Sequence, residues 1–403
     1  MFIKSKIFRD TAILTIMQLF LDTFALLLNV FITRQLGSSA IGILTLTGSF
    51  LMLAGIISNG NAFLCTSRLI SEELGKSNSN PNRVLLHGIK LCTMLSLTVS
   101  IIIFLFAQPL CENFFSGSDM LKAIRLMPIA LISGAISSCF KGYFNACRKS
   151  SISAAGDILE FAIKSAVIII MTLMVKKPND SAICGIMIGG IIAGNIFSLI
   201  YFLIAFAKKH KKYKNGGSLS FKQYVSFAFP IMGGGVLTAA LSSTNDALIP
   251  MCLRQFGNSI EEALSRFGIF EAIVIPTLFF PSVVLCSMSG IIVSEVARAS
   301  AKKNVERISS MATRLTKWTL VFAVLVAAIL MRFGDLIGEF MGGGELAGNM
   351  ISAIAPVIPF IYMEIVFEAM IKGMGMQAFS SLNYLVEYAI RITVVLILVP
   401  KIG

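Results

Sequence analysis

Apolar runs long enough to cross a bilayer follow one another along nearly the whole chain, separated by short polar stretches. A helix needs about 20 predominantly apolar residues to span the hydrocarbon layer. On that basis the pattern predicts eleven spans, near 11–33, 38–62, 84–108, 120–147, 150–176, 181–207, 223–250, 267–297, 309–332, 346–373 and 378–400. The short, evenly spaced alternating strands of a transmembrane β-barrel are missing. Backbone in lipid must satisfy its own hydrogen bonds, so the expected class is an all-α polytopic membrane protein. The first run is too long for a signal-peptide core and has no clear A-x-A cleavage site, and is expected to remain as a helix.

Composition agrees. Of the 403 residues, 56% are hydrophobic and 14% charged, against about 45–50% and 25% in soluble domains. A net charge of +13 raises the possibility of nucleic acid, but no soluble stretch is large enough to form a basic face, and none is expected as a partner. The basic residues fall instead in alternate loops. With the N-terminus inside, about 23 Lys and Arg lie on the cytoplasmic side and about 9 outside. The reading is a multi-pass protein of the cell membrane with a cytoplasmic N-terminus. The eight cysteines form no CxxC and lie mostly within apolar runs, as packing residues do.

The strongest charge run, Lys208 to Lys214, separates six spans from five. It predicts an N-terminal lobe over 1–210, a cytoplasmic linker over 211–222 and a C-terminal lobe over 223–403. That run reads as a topology-setting loop or as a site for anionic lipid headgroups. An internal repeat supports two lobes: Thr33-Arg34-Gln35-Leu36-Gly37 is echoed by Leu253-Arg254-Gln255-Phe256-Gly257, and Ser71-Glu72 by Ser294-Glu295. Both copies have the same membrane orientation, and transporters built from such parallel repeats place substrate between their halves.

Several motifs, in order along nearly the whole chain, resemble a known family. Gly142-Tyr143-Phe144-Asn145, then Ser153-Ala154 and Glu160, resembles the "GYFQG…TA…EQ" stretch of the stage V sporulation protein B-like polysaccharide flippases. Arg34 to Gly37 fits their "ARxLG", Ser67-Arg68-Leu69-Ile70 their "SRLV", and Phe267-Gly268, Pro276, Pro281 and Ser294-Glu295 their "YG…P…P…SEA". Asp246 falls where they carry an Asp in the seventh helix, and Phe360 to Gly375 is similar to their tenth-helix region. The resemblance implies the multidrug/oligosaccharidyl-lipid/polysaccharide superfamily, which also holds lipid II flippases and multidrug and toxin extruders. Two helical lobes, here six plus at least five spans, would then surround a central cavity and work by alternating access. The chain departs from the pattern at Asn29, where many relatives have arginine, and at Ile152 and Ile291, where they have proline. Relatives continue beyond the equivalent of Gly403, so the second lobe is expected to lack a final helix.

Ionisable groups inside spans are costly and mark candidate sites. Asp22 reads as a cavity or cation-coupling residue, or as a packing hydrogen bond. Glu160 and Lys164, four residues apart, share a helix face and can pair, unless Lys164 serves a phosphate; Glu387 and Arg391 repeat the spacing. Asp246, beside Asn245, is a candidate cavity carboxylate. Glu271 lies near the outer end of the eighth span, and Glu364, Glu368 and Lys372 form one stripe of the tenth. Arg34, Arg68 and Lys141 at span ends complete the set. A lipid diphosphate favours Arg or Lys, whereas the excess of acids keeps a cation extruder open. No HExxH or P-loop occurs, and only two histidines exist, His87 and His210, so enzyme chemistry is not expected. Neither cofactor nor metal site is expected. The expected cargo is an isoprenoid-linked saccharide or cell-wall precursor, or else an amphipathic small molecule, carried by a monomer, with coupling to a Na+ or H+ gradient left open.

Overall fold

The computed structural model of the chain describes residues 2–75, 80–114, 121–175, 179–209 and 219–402. All regular structure among them is helical. Among the described residues, ten helical stretches are long and apolar enough to cross a membrane, and they overlap ten of the eleven predicted spans. The remaining span, predicted at 150–176, is the 25-residue helix Ser150–Met174, which carries Asp157, Glu160 and Lys164. It forms as predicted, although its three charges are so central that every 18-residue window contains all of them. His210 and most of the expected linker lie outside the described residues.

The helices group into two compact units, Met1–Met17 with Ile43–Ala247 and Gln18–Gly42 with Leu248–Gly403. The first contains most of α2 (Ser38–Asn59), then α3 (Ala62–Leu74), α4 (Pro81–Leu105), α5 (Ala107–Phe114), α6 (Leu121–Ile124), α7 (Met127–Ala146), α8 (Ser150–Met174), α9 (Asp180–Lys209) and most of α10 (Phe221–Phe256). The second takes most of α1 (Phe2–Leu36), followed by α11 (Ile260–Ile269), α12 (Ile275–Phe279), α13 (Val283–Ala301), α14 (Val305–Phe340), α15 (Gly344–Ile354), α16 (Ile358–Gly373) and α17 (Gln377–Ile402).

This division by packing differs from the expected boundary near 211–222. Side-chain bonds explain the difference. On α1, Asn29 donates to the Ala272 carbonyl at 3.0 Å and Arg34 to the Phe340 carbonyl at 2.6 Å. At the start of α2, Gly42 lies so close to α11 that an added Cβ would sit 2.0 Å from the Leu264 carbonyl oxygen. In the first unit, Ser49 on α2 donates to Asp246 on α10 at 2.6 Å, and Thr66 on α3 bonds Tyr224 on α10 at 2.8 Å. The repeat restarts at α10, whereas packing divides the chain after Met17, Gly42 and Ala247.

The repeat itself extends over five successive elements. α1 and α10 stop at Gly37 (φ 89) and Gly257 (φ 114), a left-handed conformation that costs glycine nothing and ends a helix. α2–α3 breaks at Gly60-Asn61, and its counterpart breaks at a π turn, Phe270–Val274, and a 3-10 turn, Phe280–Ser282, around α12. α4 and α14 both start from an Asn cap: Asn80 accepts from the Arg83 backbone N–H at 3.3 Å, and Asn304 from that of Arg307 at 2.9 Å. α6–α7 and α15–α16 are each interrupted in their first half, after Ile124 and Ile354. α7 and α16 end alike, at Arg148 (φ 55) and Gly375 (φ 82). There Lys149 N–H bonds the Phe144 carbonyl and Met376 N–H bonds that of Ile371, at 2.9 and 3.2 Å. α8 and α17 follow. Matching these two caps aligns Glu160 with Glu387, Lys164 with Arg391, Lys141 with Glu368, and Ser137 with Glu364.

Each unit has its own core. In the first, Ile70, Val84, Phe144 and Phe202 are fully buried; in the second, Ile273, Ile351, Ile358 and Tyr362. α9 lies tightly along α8 through two glycines. A Cβ on Gly194 would stand 2.7 Å from the Glu160 carbonyl oxygen, and one on Gly190 2.6 Å from Ile168 Cγ1. Small residues permit such close approach between helices in lipid.

Candidate functional site

Within the first unit, α2, α7, α8 and α9 leave a polar cleft of about 180 Å³. Its polar lining comprises Asn59, Ser137, Ser138, Lys141, Glu160 and Asn195. Lys141 forms an ion pair with Asp157, one turn before Glu160 on α8. Asn195 donates to the Ala130 carbonyl at 2.9 Å, and Gly134 is bare where a Cβ would meet the Asn195 amide at 2.9 Å. The cleft is smaller than the ~300–1,000 Å³ that encloses a whole ligand. It has room for part of one, or for a chain of waters at ~30 Å³ each.

The expected Glu160–Lys164 pair does not form among the described residues. Lys164 instead sits over the Phe161 ring, 5.3 Å from its centroid, and the cation paired on α8 is Lys141, reaching across from α7. Spacing along one helix could not reveal a partner on its neighbour. Asp157 and Asn195 were missed for the same reason, although a third charge three residues before Glu160 in an apolar run was a visible signal.

The second unit holds the repeat-related cleft, between α16 and α17, with a volume of about 400 Å³. Here the acids Glu364, Glu368 and Glu387 stand beside Phe360, Phe367 and Tyr384. Glu368 pairs with Lys372 at 2.6 Å and accepts from Ser380 at 3.2 Å. The predicted Glu387–Arg391 pair forms at 2.8 Å, with the Arg391 guanidinium 5.2 Å from the Tyr388 ring centre. Glu364 has no ion pair or hydrogen bond among the described residues.

The other candidates lie apart from both clefts. Asp246 is 9% exposed and accepts from Ser49; the side-chain amide oxygen of the neighbouring Asn245 is buried with no hydrogen-bond partner among the described residues. Asn29 bonds a carbonyl in the π turn that also carries Glu271. Such turns leave carbonyls without helical partners and often occur at functional places. Nothing in the sequence announced this one. Asp22 and Glu271 are half-buried, and neither is without an interaction partner. Arg34 caps the C-terminus of α14, where carbonyls are left over. Arg68 is exposed, paired with Glu72 at 3.2 Å and placed over the Phe227 ring at 4.9 Å. His87 lies on α4, half-buried against Phe221.

Helical bundles with polar groups lining clefts between apolar, span-length helices define a class, and the fold is that of known transporters. The inward-facing conformation of a multidrug resistance MATE family transporter of the MOP superfamily superposes with a TM-score of 0.70 at 15% identity, covering 92% of this chain and 84% of that one. The lipid II flippase MurJ in its inward closed conformation gives a TM-score of 0.70 at 16% identity over 97% of this chain and 82% of that one. The polysaccharide biosynthesis protein family model matches residues 7–252, and the chain belongs to that family. It is also 21% identical over 389 residues to stage V sporulation protein B of Bacillus subtilis (strain 168), across 93% of this chain and 74% of that protein.

Proposed function

We propose that the protein is a flippase that moves an isoprenoid-linked saccharide or cell-wall precursor across the cell membrane by alternating access. The observation that carries this reading is the Lys141 cleft. In a member of the polysaccharide biosynthesis family, a cation is held inside membrane-spanning helices among amide, hydroxyl and carboxylate groups. Lysine is a point-charge ligand for phosphate, and Asn59, Ser137, Ser138 and Asn195 offer the donors and acceptors that sugar hydroxyls use. The lipid tail would remain in the bilayer. On this reading the protein is a monomer with its N-terminus in the cytoplasm, as the distribution of Lys and Arg favours for the latter, and moves its cargo either passively or coupled to a Na+ or H+ gradient.

One observation supports a second reading, a cation-coupled exporter of amphipathic cations. The cleft at Glu364, Glu368 and Glu387 is acidic and walled by aromatic rings, which suits an organic cation. Proteoliposomes containing the purified protein separate the two. Translocation of a fluorescent lipid-linked saccharide, with no efflux of an organic cation such as ethidium, is the expected result. Cation efflux without saccharide movement would reverse the assignment.

A further inference from the structure

α14 is a single 36-residue helix, about 54 Å long at 1.5 Å per residue, whereas about 20 residues suffice to cross the hydrocarbon. Nearly half of it, about 16 residues, therefore extends beyond the apolar layer. One stripe faces inward along the whole length: Ile308, Met311, Ala312 and Leu315 pack on the core of the second unit, and Thr319, Ala323, Val326 and Leu330 continue the line. The opposite stripe is exposed throughout, and its chemistry changes abruptly. From Trp318 it is apolar, with Val321, Val324, Leu325 and Ile329 each about half exposed or more. Before Trp318 it is Glu306, Ser310, Thr313, Arg314 and Lys317, all exposed.

A stripe that faces lipid at Val321 and Leu325 faces lipid headgroups one turn earlier, because the helix is unbroken. Trp318 is 68% exposed and sits at the switch, the level that tryptophan prefers at a membrane boundary. Arg314 lies about 6 Å and Lys317 about 1.5 Å along the axis from it, within the depth of a headgroup layer. The other cations of this region are accounted for. Arg298 and Arg307 both bind Glu295, at 2.6 and 3.2 Å, and Lys302 and Lys303 lie at the turn, roughly 20 Å farther out. Arg314 and Lys317 have no carboxylate partner among the described residues.

We infer that Arg314, Lys317 and Trp318 form a binding site for the headgroup of an anionic phospholipid, with the acyl chains along Val321 and Leu325. The two cations meet the charged phosphate and the headgroup oxygens, and the indole stands at glycerol depth. Arg314 can hold a phosphate through two parallel N–H groups.

Trp318 is the chain's single tryptophan, so its fluorescence reports this site alone. The purified protein is reconstituted into bilayers of phosphatidylcholine and phosphatidylglycerol, one or the other brominated on the upper acyl chain, and quenching gives relative binding at Trp318. Phosphatidylglycerol should be preferred on the order of thirtyfold, the factor that ~1 kcal/mol for each of two cations near the surface corresponds to. The R314Q/K317Q variant should fall to no preference. R332Q, at the far end of the same helix, should keep the preference. High salt should weaken it in the wild type. Equal quenching by both lipids in the wild type, or an undiminished preference in R314Q/K317Q, overturns the assignment.

Discussion

Lys141→Met tests whether the cation in the first-unit cleft serves cargo or only the fold. The side chains of Lys141 and Asp157 are 26% and 37% exposed, so the pair is neither buried nor free in solvent. Breaking a fully buried pair costs about 3–5 kcal/mol, and an exposed one about 0–1. Partial exposure places this pair at ~1–3 kcal/mol, most of it the penalty of leaving Asp157 unneutralised beside Glu160. Lys141→Met with Asp157→Leu removes both charges and should recover most of that stability, as replacing an ion pair by apolar groups of similar size does. Transport should not recover. A charge-assisted hydrogen bond to a phosphate is worth about 1.5–3 kcal/mol, so flux of a lipid-linked saccharide should fall roughly 10- to 100-fold in the single and the double variant alike. Thermal unfolding in detergent and a proteoliposome translocation assay read the two quantities separately. If the double variant regains both stability and wild-type flux, Lys141 is a structural residue and the flippase reading loses its carrying observation.

Two further outcomes follow from the packing. Gly42→Ala places a methyl 2.0 Å from the Leu264 carbonyl oxygen, which forces α2 from α11 and should cost about 1–3 kcal/mol. Gly185→Ala, with nothing within 4 Å of the added carbon, should leave the melting temperature unchanged or slightly raised; equal losses in both would show that the close crossing is not what fixes these helices. Asp246→Ala removes the bond from Ser49, a loss of about 0.6–1.7 kcal/mol for such contacts in membrane proteins, and is expected to abolish transport in a folded protein. Normal flux there confines Asp246 to packing.

Spans were legible because hydropathy needs only local sequence, and even α8, with three charges, forms where its apolar run predicts. The repeat was legible from two short segments because the glycines that end α1 and α10 are required by backbone geometry, so the same residue recurs. What the sequence hid was lateral. The Glu160–Lys164 spacing is correct for one face of a helix, but α7 presents Lys141 to the neighbouring Asp157, and Lys164 is left over an aromatic ring. Likewise, α1 and α10 are packed by Asn29, Arg34 and Tyr224, contacts hundreds or scores of residues away. The π turn left no trace because Phe270 to Val274 has ordinary helical composition.

The repeat places one scaffold around two different chemistries. At matched positions Lys141 is replaced by Glu368 and Ser137 by Glu364, while Glu160 and Glu387 remain alike. The first cleft is small, polar and pinned along α8 by the glycines of α9; the second is larger, acidic and aromatic. A single ligand group suits both poorly, since an anion that Lys141 attracts is repelled in the second cleft by Glu364, the one of its three carboxylates with no cation paired to it among the described residues. Under the proposed function, the anionic headgroup therefore belongs with the first cleft, and a cation, whether coupling ion or amine, with the second. Glu364→Gln should accordingly alter the cation dependence of saccharide flux before it alters saccharide binding, whereas Lys141→Met should do the reverse. The opposite pattern would exchange the two roles and favour the cation exporter.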